Sequence, residues 1–121
     1  MTRPTAVRTL LAFLTLVTLT ACRSPYVETT IENTGPAPIH LIEVDYPSAS
    51  FGTQSIDAHD TYHYHFKIQG SGPVTLTFTD AAGKPHTATG PDLKEGQQGD
   101  LRITIDPSAN VSWSQNLSTA K

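Results

Sequence analysis

Cysteine is almost absent from this chain, since a single residue, Cys22, occurs among 121. An internal disulfide is therefore excluded, and a folded domain must be stabilised by packing and backbone hydrogen bonds. Charged residues are also scarce, at 16% of the sequence, and acids outnumber bases by 11 to 8. Because a chain of net charge −3 repels the phosphates of nucleic acid, the composition predicts no nucleic-acid partner.

Long hydrophobic runs and catalytic motifs are missing as well. The longest apolar run, residues 10–19, is too short to cross the roughly 30 Å hydrocarbon core of a bilayer as a helix. No Gly-x-Ser-x-Gly nucleophile motif occurs, and the glycine-containing residues 96–99 lack the lysine and the following helix of a phosphate-binding loop. The sequence therefore predicts neither an enzyme nor a cofactor.

The apolar run has the features of a secretion signal. Arg3 and Arg8 precede it, and it ends in Leu19-Thr20-Ala21-Cys22. These last four residues resemble the lipobox of bacterial lipoproteins: an aliphatic residue, two small residues and a cysteine. The resemblance implies cleavage before Cys22, a diacylglyceryl group on its sulfur, and acylation of the new amino group by a fatty acid such as palmitate. Two or three acyl chains would anchor the mature protein stably in a membrane.

This resemblance divides the chain into three parts. Residues 1–21 are the signal peptide, residues 22–25 are the lipidated N-terminus with a short tether, and residues 26–121 are the domain. The predicted location is the cell envelope. Arg23, and not aspartate, follows the cysteine, which in lipoproteins implies the outer membrane where a cell has two membranes.

The mature chain consists of short stretches in which apolar and polar residues alternate. Residues 61–68 are the clearest, with Tyr62, Tyr64 and Phe66 on one face and the histidines on the other. Turn-forming residues separate the stretches, and none has a helical period of useful length. The pattern predicts an all-β sandwich of seven to eight short antiparallel strands.

Two segments resemble parts of a known domain type. Residues 31–39, Ile-Glu-Asn-Thr-Gly-Pro-Ala-Pro-Ile, resemble the opening hairpin of the immunoglobulin-like domains of bacterial envelope proteins. Residues 56–60 resemble the loop before a middle strand in those domains. The resemblance covers roughly residues 26–115 and implies an immunoglobulin-like β-sandwich, a fold that hosts many functions.

The second predicted strand changes phase along its length. Ile39 and Leu41 follow one alternation, whereas Ile42, Val44 and Tyr46 follow the opposite one. Since side chains alternate between the two faces of a strand, the change predicts a β-bulge or a strand that crosses between sheets.

One histidine cluster could bind a metal ion. His63 and His65 share a strand face about 7 Å apart, and two imidazoles so placed could bind Zn²⁺ or Cu²⁺ with His59 or an acid. His40 or His86 could join from a neighbouring strand. The competing interpretation is that these histidines are polar residues on the solvent face of a strand whose aromatic face is buried.

Two further segments bear on recognition. Trp113 is expected to fill the centre of the core, and the alternative is that it and the tyrosines bind carbohydrate or peptide. Residues 90–100 are expected to form a polar loop, which is the favoured contact segment if the domain binds a partner. The preferred function is a membrane-anchored, non-catalytic structural or protein-interaction module with an unidentified envelope protein as its partner. A lipoprotein that binds zinc or copper through His59, His63 and His65 is the alternative.

Overall fold

The computed structural model describes residues 25–119, and these contain eight β-strands and no helix. The strands are β1 (Val27–Asn33), β2 (Ile39–Tyr46), β3 (Ala49–Ile56), β4 (Thr61–Phe66), β5 (Gly72–Thr79), β6 (Pro85–Leu93), β7 (Gln97–Ile105) and β8 (Val111–Thr119).

The strands form two four-stranded sheets that pack face to face. Sheet A has the order β4-β1-β7-β8, and sheet B has the order β3-β2-β5-β6. In β5, for example, Val74, Leu76 and Phe78 are buried, whereas the threonines between them face outward. The predicted all-β sandwich is confirmed. Residues 25–119 contain both sheets and a continuous core, so they form a self-contained domain.

One strand pair differs from the expected antiparallel arrangement. β1 lies in the interior of sheet A, where it runs antiparallel to β4 and parallel to β7. Alternation within a strand carries no information about the direction of a neighbour that lies some 70 residues away. In constant-type immunoglobulin domains the first two strands share a sheet, whereas β1 and β2 belong to different sheets here.

The predicted phase change in β2 is a β-bulge. The register of β2 against β5 shifts between His40 and Glu43. Leu41, inside the shift, has a φ of 52° and is 60% exposed, which returns Ile42 to the core on the other phase. The prediction of a bulge is therefore confirmed, and no crossing between sheets is needed to explain the pattern.

Aromatic side chains cover the seam where the edge strands β3 and β4 meet. The rings of Phe51 and Tyr64 stack with their centroids 4.2 Å apart, and Tyr46 packs on Phe66 at 4.5 Å. The Tyr62 hydroxyl donates a hydrogen bond of 3.2 Å to the carbonyl oxygen of Gly52. Burial, together with the nearby Tyr64, raises the pKa of Tyr46.

The opposite seam, between β6 and β8, is covered by Trp113. A Cβ at Gly90 would lie 2.6 Å from the indole ring, so glycine is what lets the ring lie against the β6 backbone. The expectation that Trp113 fills the centre of the core was wrong, because the indole is partly buried at the margin of the core.

The expectation that residues 90–100 form a loop was also wrong. Its first four residues end β6 and its last four begin β7, which leaves residues 94–96 as the connection. Gly90, Pro91 and Gly99 made this segment resemble a loop. They lie inside strands because Gly90 admits the indole and β6 is an edge strand, where proline is tolerated.

The connecting segments gather at two ends of the sandwich. At the N-terminal end, where β1 begins, a Cβ at Gly72 would lie 3.1 Å from Pro47, and Glu95 N–H donates to the Ser71 hydroxyl. We call the other end the distal end. It comprises four segments: residues 34–38, 57–60, 80–84 and 106–110.

Two distal hairpin loops, residues 80–84 and 106–110, have the same hydrogen-bond pattern. In each loop the N–H of the first residue, Asp80 or Asp106, donates to the carbonyl of the fifth. The carboxylate of that aspartate accepts the N–H groups of the third and fifth residues at 2.8–2.9 Å. Aspartate at the first position therefore specifies the loop twice, through its backbone and its side chain.

The fourth residue of each loop is left-handed, and here the two loops differ in sequence. Gly83 has a φ of 82° and Ala109 a φ of 65°. Ala109→Gly should raise the free energy of unfolding by about 0.5–1 kcal/mol, because a Cβ is strained in this region. Gly83→Ala should lower it by about 1 kcal/mol. Urea denaturation of both variants would check the pair, and shifts in the same direction would contradict the account.

Candidate functional site

His63 and His65 lie on β4, at the edge of sheet A, and face away from the core. The register of β4 with β1 places His65 opposite Glu28 and His63 opposite Thr30. Both histidines are exposed, whereas Phe66 on the opposite phase is buried. Their environment is thus set by the outward-facing residues of β1.

His65 is paired with an acid and an aromatic ring. Its Nδ1 contacts the Glu28 carboxylate, and its imidazole stacks on Tyr26 with the ring centroids 4.1 Å apart. His63 instead contacts two hydroxyls, with Nδ1 3.2 Å from Thr30 Oγ1 and Nε2 3.4 Å from Thr61 Oγ1. The two rings therefore have separate partners along β1 and β4.

The structure does not bring His59 together with this pair. His59 has a φ of 59° and lies in the turn between β3 and β4, before the first residue of β4. His40 and His86 belong to β2 and β6 of the other sheet, so neither can join from a neighbouring strand. Within residues 25–119, no three His, Cys, Asp or Glu side chains come together as possible metal ligands.

The outward face of sheet A is polar throughout. One row across the sheet brings His65, Glu28, Asp100 and Asn116 into register, and the Arg102 guanidinium pairs with Glu32 across the neighbouring strands. Near the start of β1 this face has an open groove of about 590 Å³. Polar side chains and Tyr26 line it: Glu28, Gln98, Asp100, Asn116 and Ser118.

A second open cleft, of about 400 Å³, lies at the distal end between the two hairpin loops. Ala81, Pro107 and Ala109 contribute apolar lining, and Lys84 and His86 contribute polar atoms. An open surface that mixes apolar and polar groups in this way is suited to contact with another polypeptide.

Sequence reasoning missed a hydrogen-bonded pair beside this cleft. His86 Nε2 lies 2.7 Å from the Asp80 carboxylate, and the imidazole stacks on Phe78 at 5.0 Å. The pKa of Asp80 is lowered, first by its hydrogen bond with His86 and then by the backbone N–H groups of Lys84 and Ala82. The spacing of an acid six residues before a histidine across a predicted turn was the available signal.

Two carboxylates on β2, those of Glu43 and Asp45, lie side by side on an outward face. The pKa of Glu43 is raised because its side chain shares a hydrogen bond with Asp45, whose charge also disfavours ionisation. Glu43 is exposed, and its neighbours across β5 are threonines. The pair therefore belongs to a solvated sheet face.

The predicted lipidation site, Cys22, and the predicted signal peptide, residues 1–21, lie outside the described residues. In the part that the structure does describe, no helix is long and apolar enough to cross a bilayer.

Comparison with known proteins gives a fold relation. No protein family model matches the chain, and no curated protein sequence matches it. The structure is similar to the NMR structure of a protein from Eubacterium rectale, with a TM-score of 0.57 and 16% sequence identity. The similarity covers 74% of this chain and 86% of that one. At this identity the relation concerns the β-sandwich and not an activity.

Proposed function

We propose that this protein is a lipoprotein of the bacterial cell envelope, lipidated at Cys22, whose sandwich is a non-catalytic protein-interaction module. The observation that carries the proposal is Leu19-Thr20-Ala21-Cys22 at the end of a ten-residue apolar run that follows two arginines. With Arg23 after the cysteine, the proposed site in a cell with two membranes is the outer membrane.

The length of chain between Cys22 and the sandwich supports a position close to the membrane. β1 begins at Val27, so the four residues 23–26 separate it from Cys22. Fully extended, the five Cα–Cα steps from Cys22 to Val27 span at most about 18 Å. The N-terminal end of the sandwich would then lie near the bilayer, and the distal end would be the part farthest from it.

The distal end is the proposed contact surface for a partner protein. Two of its four connecting segments, residues 80–84 and 106–110, flank the cleft lined by Ala81, Pro107 and Ala109. Loops supported by a rigid sandwich are common sites of recognition. The shared loop pattern built on Asp80 and Asp106 would hold this surface in one conformation without a ligand.

Cys22→Ser should move the protein from the membrane fraction to the soluble fraction of a bacterial host. The substitution removes the thioether and with it about 0.8 kcal/mol of membrane affinity for each buried methylene of the acyl chains. Ser24→Ala, which leaves the lipobox intact, is the matched control and should stay with the membrane. Mass spectrometry of the native protein should find an acylated N-terminal cysteine.

An unmodified Cys22 thiol, or a mature chain that still begins at Met1, would overturn the anchoring part of the proposal. The interaction part is tested separately in intact cells by a photo-crosslinking amino acid at Ala81, with Thr77 on the outward face of sheet B as the control. Adducts with a second protein should form from the distal position only. Equal labelling from both positions would contradict a distal contact surface.

A further inference from the structure

β8 is the edge of sheet A with the least protection against pairing with another strand. It is nine residues long and pairs with β7 and with no other strand of residues 25–119. Alternate residues of an antiparallel edge strand direct their N–H and C=O groups away from the sheet, where they can pair with another strand. Proteins usually block such an edge with charge, proline, a bulge or a covering segment.

The other three edges have such protection. On β8 the Trp113 indole covers the seam with β6 by lying against Gly90, but within residues 25–119 no strand pairs with the outer edge of the β8 backbone. β6 carries Pro85 and Pro91, which have no N–H to donate. β3 and β4 cover one another through the Tyr62 hydroxyl bond and the stacked rings of Phe51 and Tyr64. β8, with the sequence Val-Ser-Trp-Ser-Gln-Asn-Leu-Ser-Thr, contains no charge, proline or glycine.

The sequence of β8 is also complementary to itself. An antiparallel pair of two copies centred on Gln115 would place Trp113 of each copy opposite Leu117 of the other. Both residues are partly buried at the margin of the core. On the outward face, Ser114 would lie opposite Asn116. Apolar side chains therefore meet apolar ones, polar meet polar, and no like charges face each other.

We propose that β8 is a dimerisation edge, at which a second copy of this chain adds its own β8 antiparallel about Gln115. The two A sheets then form one continuous eight-stranded sheet. A strand pair of this length falls below the roughly 1,000 Å² of a stable interface, so the dimer belongs to the weak, reversible class.

The dimer does not depend on lipidation, so its failure and that of the anchoring proposal are separate results. The two proposals together constrain orientation. Antiparallel pairing places the N-terminal ends at opposite ends of the joined sheet, about 30 Å apart for nine residues of strand. Two copies anchored in one membrane would then pair with their strands along its surface, whereas the upright orientation, with the distal end farthest from the membrane, belongs to the monomer.

The test uses the protein beginning at Arg23, which lacks Cys22 and retains every strand. Gln115→Cys should form disulfide-linked dimers on mild oxidation, because residues opposite each other in an antiparallel pair have Cα atoms about 5.5 Å apart, within disulfide range. Gln54→Cys, an exposed glutamine replaced on the edge strand β3, is the matched control and should stay monomeric.

A second pair of variants keeps the test independent of oxidation. Gln115→Lys places two positive charges opposite each other and should raise the dissociation constant of the dimer about tenfold. Sedimentation at protein concentrations from micromolar to millimolar would measure this change. Gln54→Lys should leave the association unchanged, with circular dichroism reporting the fold of both. Sedimentation as a monomer at every concentration, or an unchanged dimer in Gln115→Lys, would overturn the proposal.

Discussion

Asn33→Asp should lower the free energy of unfolding by about 3–5 kcal/mol, the largest effect expected for any single substitution outside the apolar core. Asn33 ends β1 and is 1% exposed. Its amide nitrogen donates to three carbonyl oxygens, those of Ala37 at 2.9 Å, Ile56 at 3.2 Å and Asp57 at 3.1 Å. Its amide oxygen accepts the N–H of Gly35 at 3.0 Å. One side chain thus joins β1, the segment after it and the β3–β4 turn.

Aspartate has nearly the same shape as asparagine, but it replaces a hydrogen-bond donor with a negatively charged acceptor. A carboxylate has no hydrogen to donate, so three carbonyl oxygens would face a buried negative charge. Urea denaturation at neutral pH should show the loss. Gln54→Glu, the same amide-to-acid change at an exposed position, is the control and should shift stability by less than about 0.5 kcal/mol.

The loss in free energy of unfolding caused by Asn33→Asp should also depend on pH. The carbonyl oxygens and burial raise the folded-state pKa of the introduced carboxyl above its unfolded value of about 4. The penalty is therefore complete above the folded pKa and shrinks as the pH falls through it, because the protonated acid can donate one hydrogen bond. A variant as stable as the parent at neutral pH would show that the Asn33 contacts contribute little.

Gly52→Ala is the second large effect, with an expected loss of about 2–4 kcal/mol. A Cβ at Gly52 would lie 2.1 Å from the carbonyl oxygen of Ile42. That oxygen belongs to the backbone next to the bulge at Leu41, so β2 and β3 would have to separate by about 1 Å. The position demands glycine because of this close approach, and its φ imposes no such demand.

A control variant and an amide-exchange measurement would check the prediction for Gly52→Ala. Ser50→Ala, on the same outward phase of β3 two residues earlier, should be close to neutral in urea denaturation. Amide exchange should show faster opening in β3 of Gly52→Ala than in β7, because β3 is an edge strand. Unchanged exchange in β3, together with unchanged stability, would mean that the backbone absorbs the Cβ without cost.

The fold class and the bulge could be predicted because both depend on local alternation. β5 and β7 repeat apolar residues with a period of two, and the phase change at Leu41 marks the bulge directly. Sheet membership and the parallel β1–β7 pair could not be predicted, because they depend on contacts between distant segments. The loop prediction for residues 90–100 was wrong for a similar reason, since the contact that explains Gly90 is with Trp113 on another strand.

The candidate site, too, could be predicted only in part. The exposed face of His63 and His65 followed from their alternation with the tyrosines. The opposite face is buried only in part, because Phe66 is in the core whereas Tyr64 is exposed. The partners of the two histidines, Glu28 and Thr30, lie on β1 and could be named only once the register of β1 with β4 was known. His59 itself has a left-handed backbone conformation in the β3–β4 turn, which the residue type alone does not reveal.

The interior position of β1 has a mechanical consequence. A force applied to the N-terminus acts on a strand bonded along both sides, to β4 and to β7. Extraction would have to shear two ladders at once, whereas an edge strand peels away one bond at a time. A chain held by its first residues at a surface would therefore transmit tension into a strand that sheet A holds along both sides.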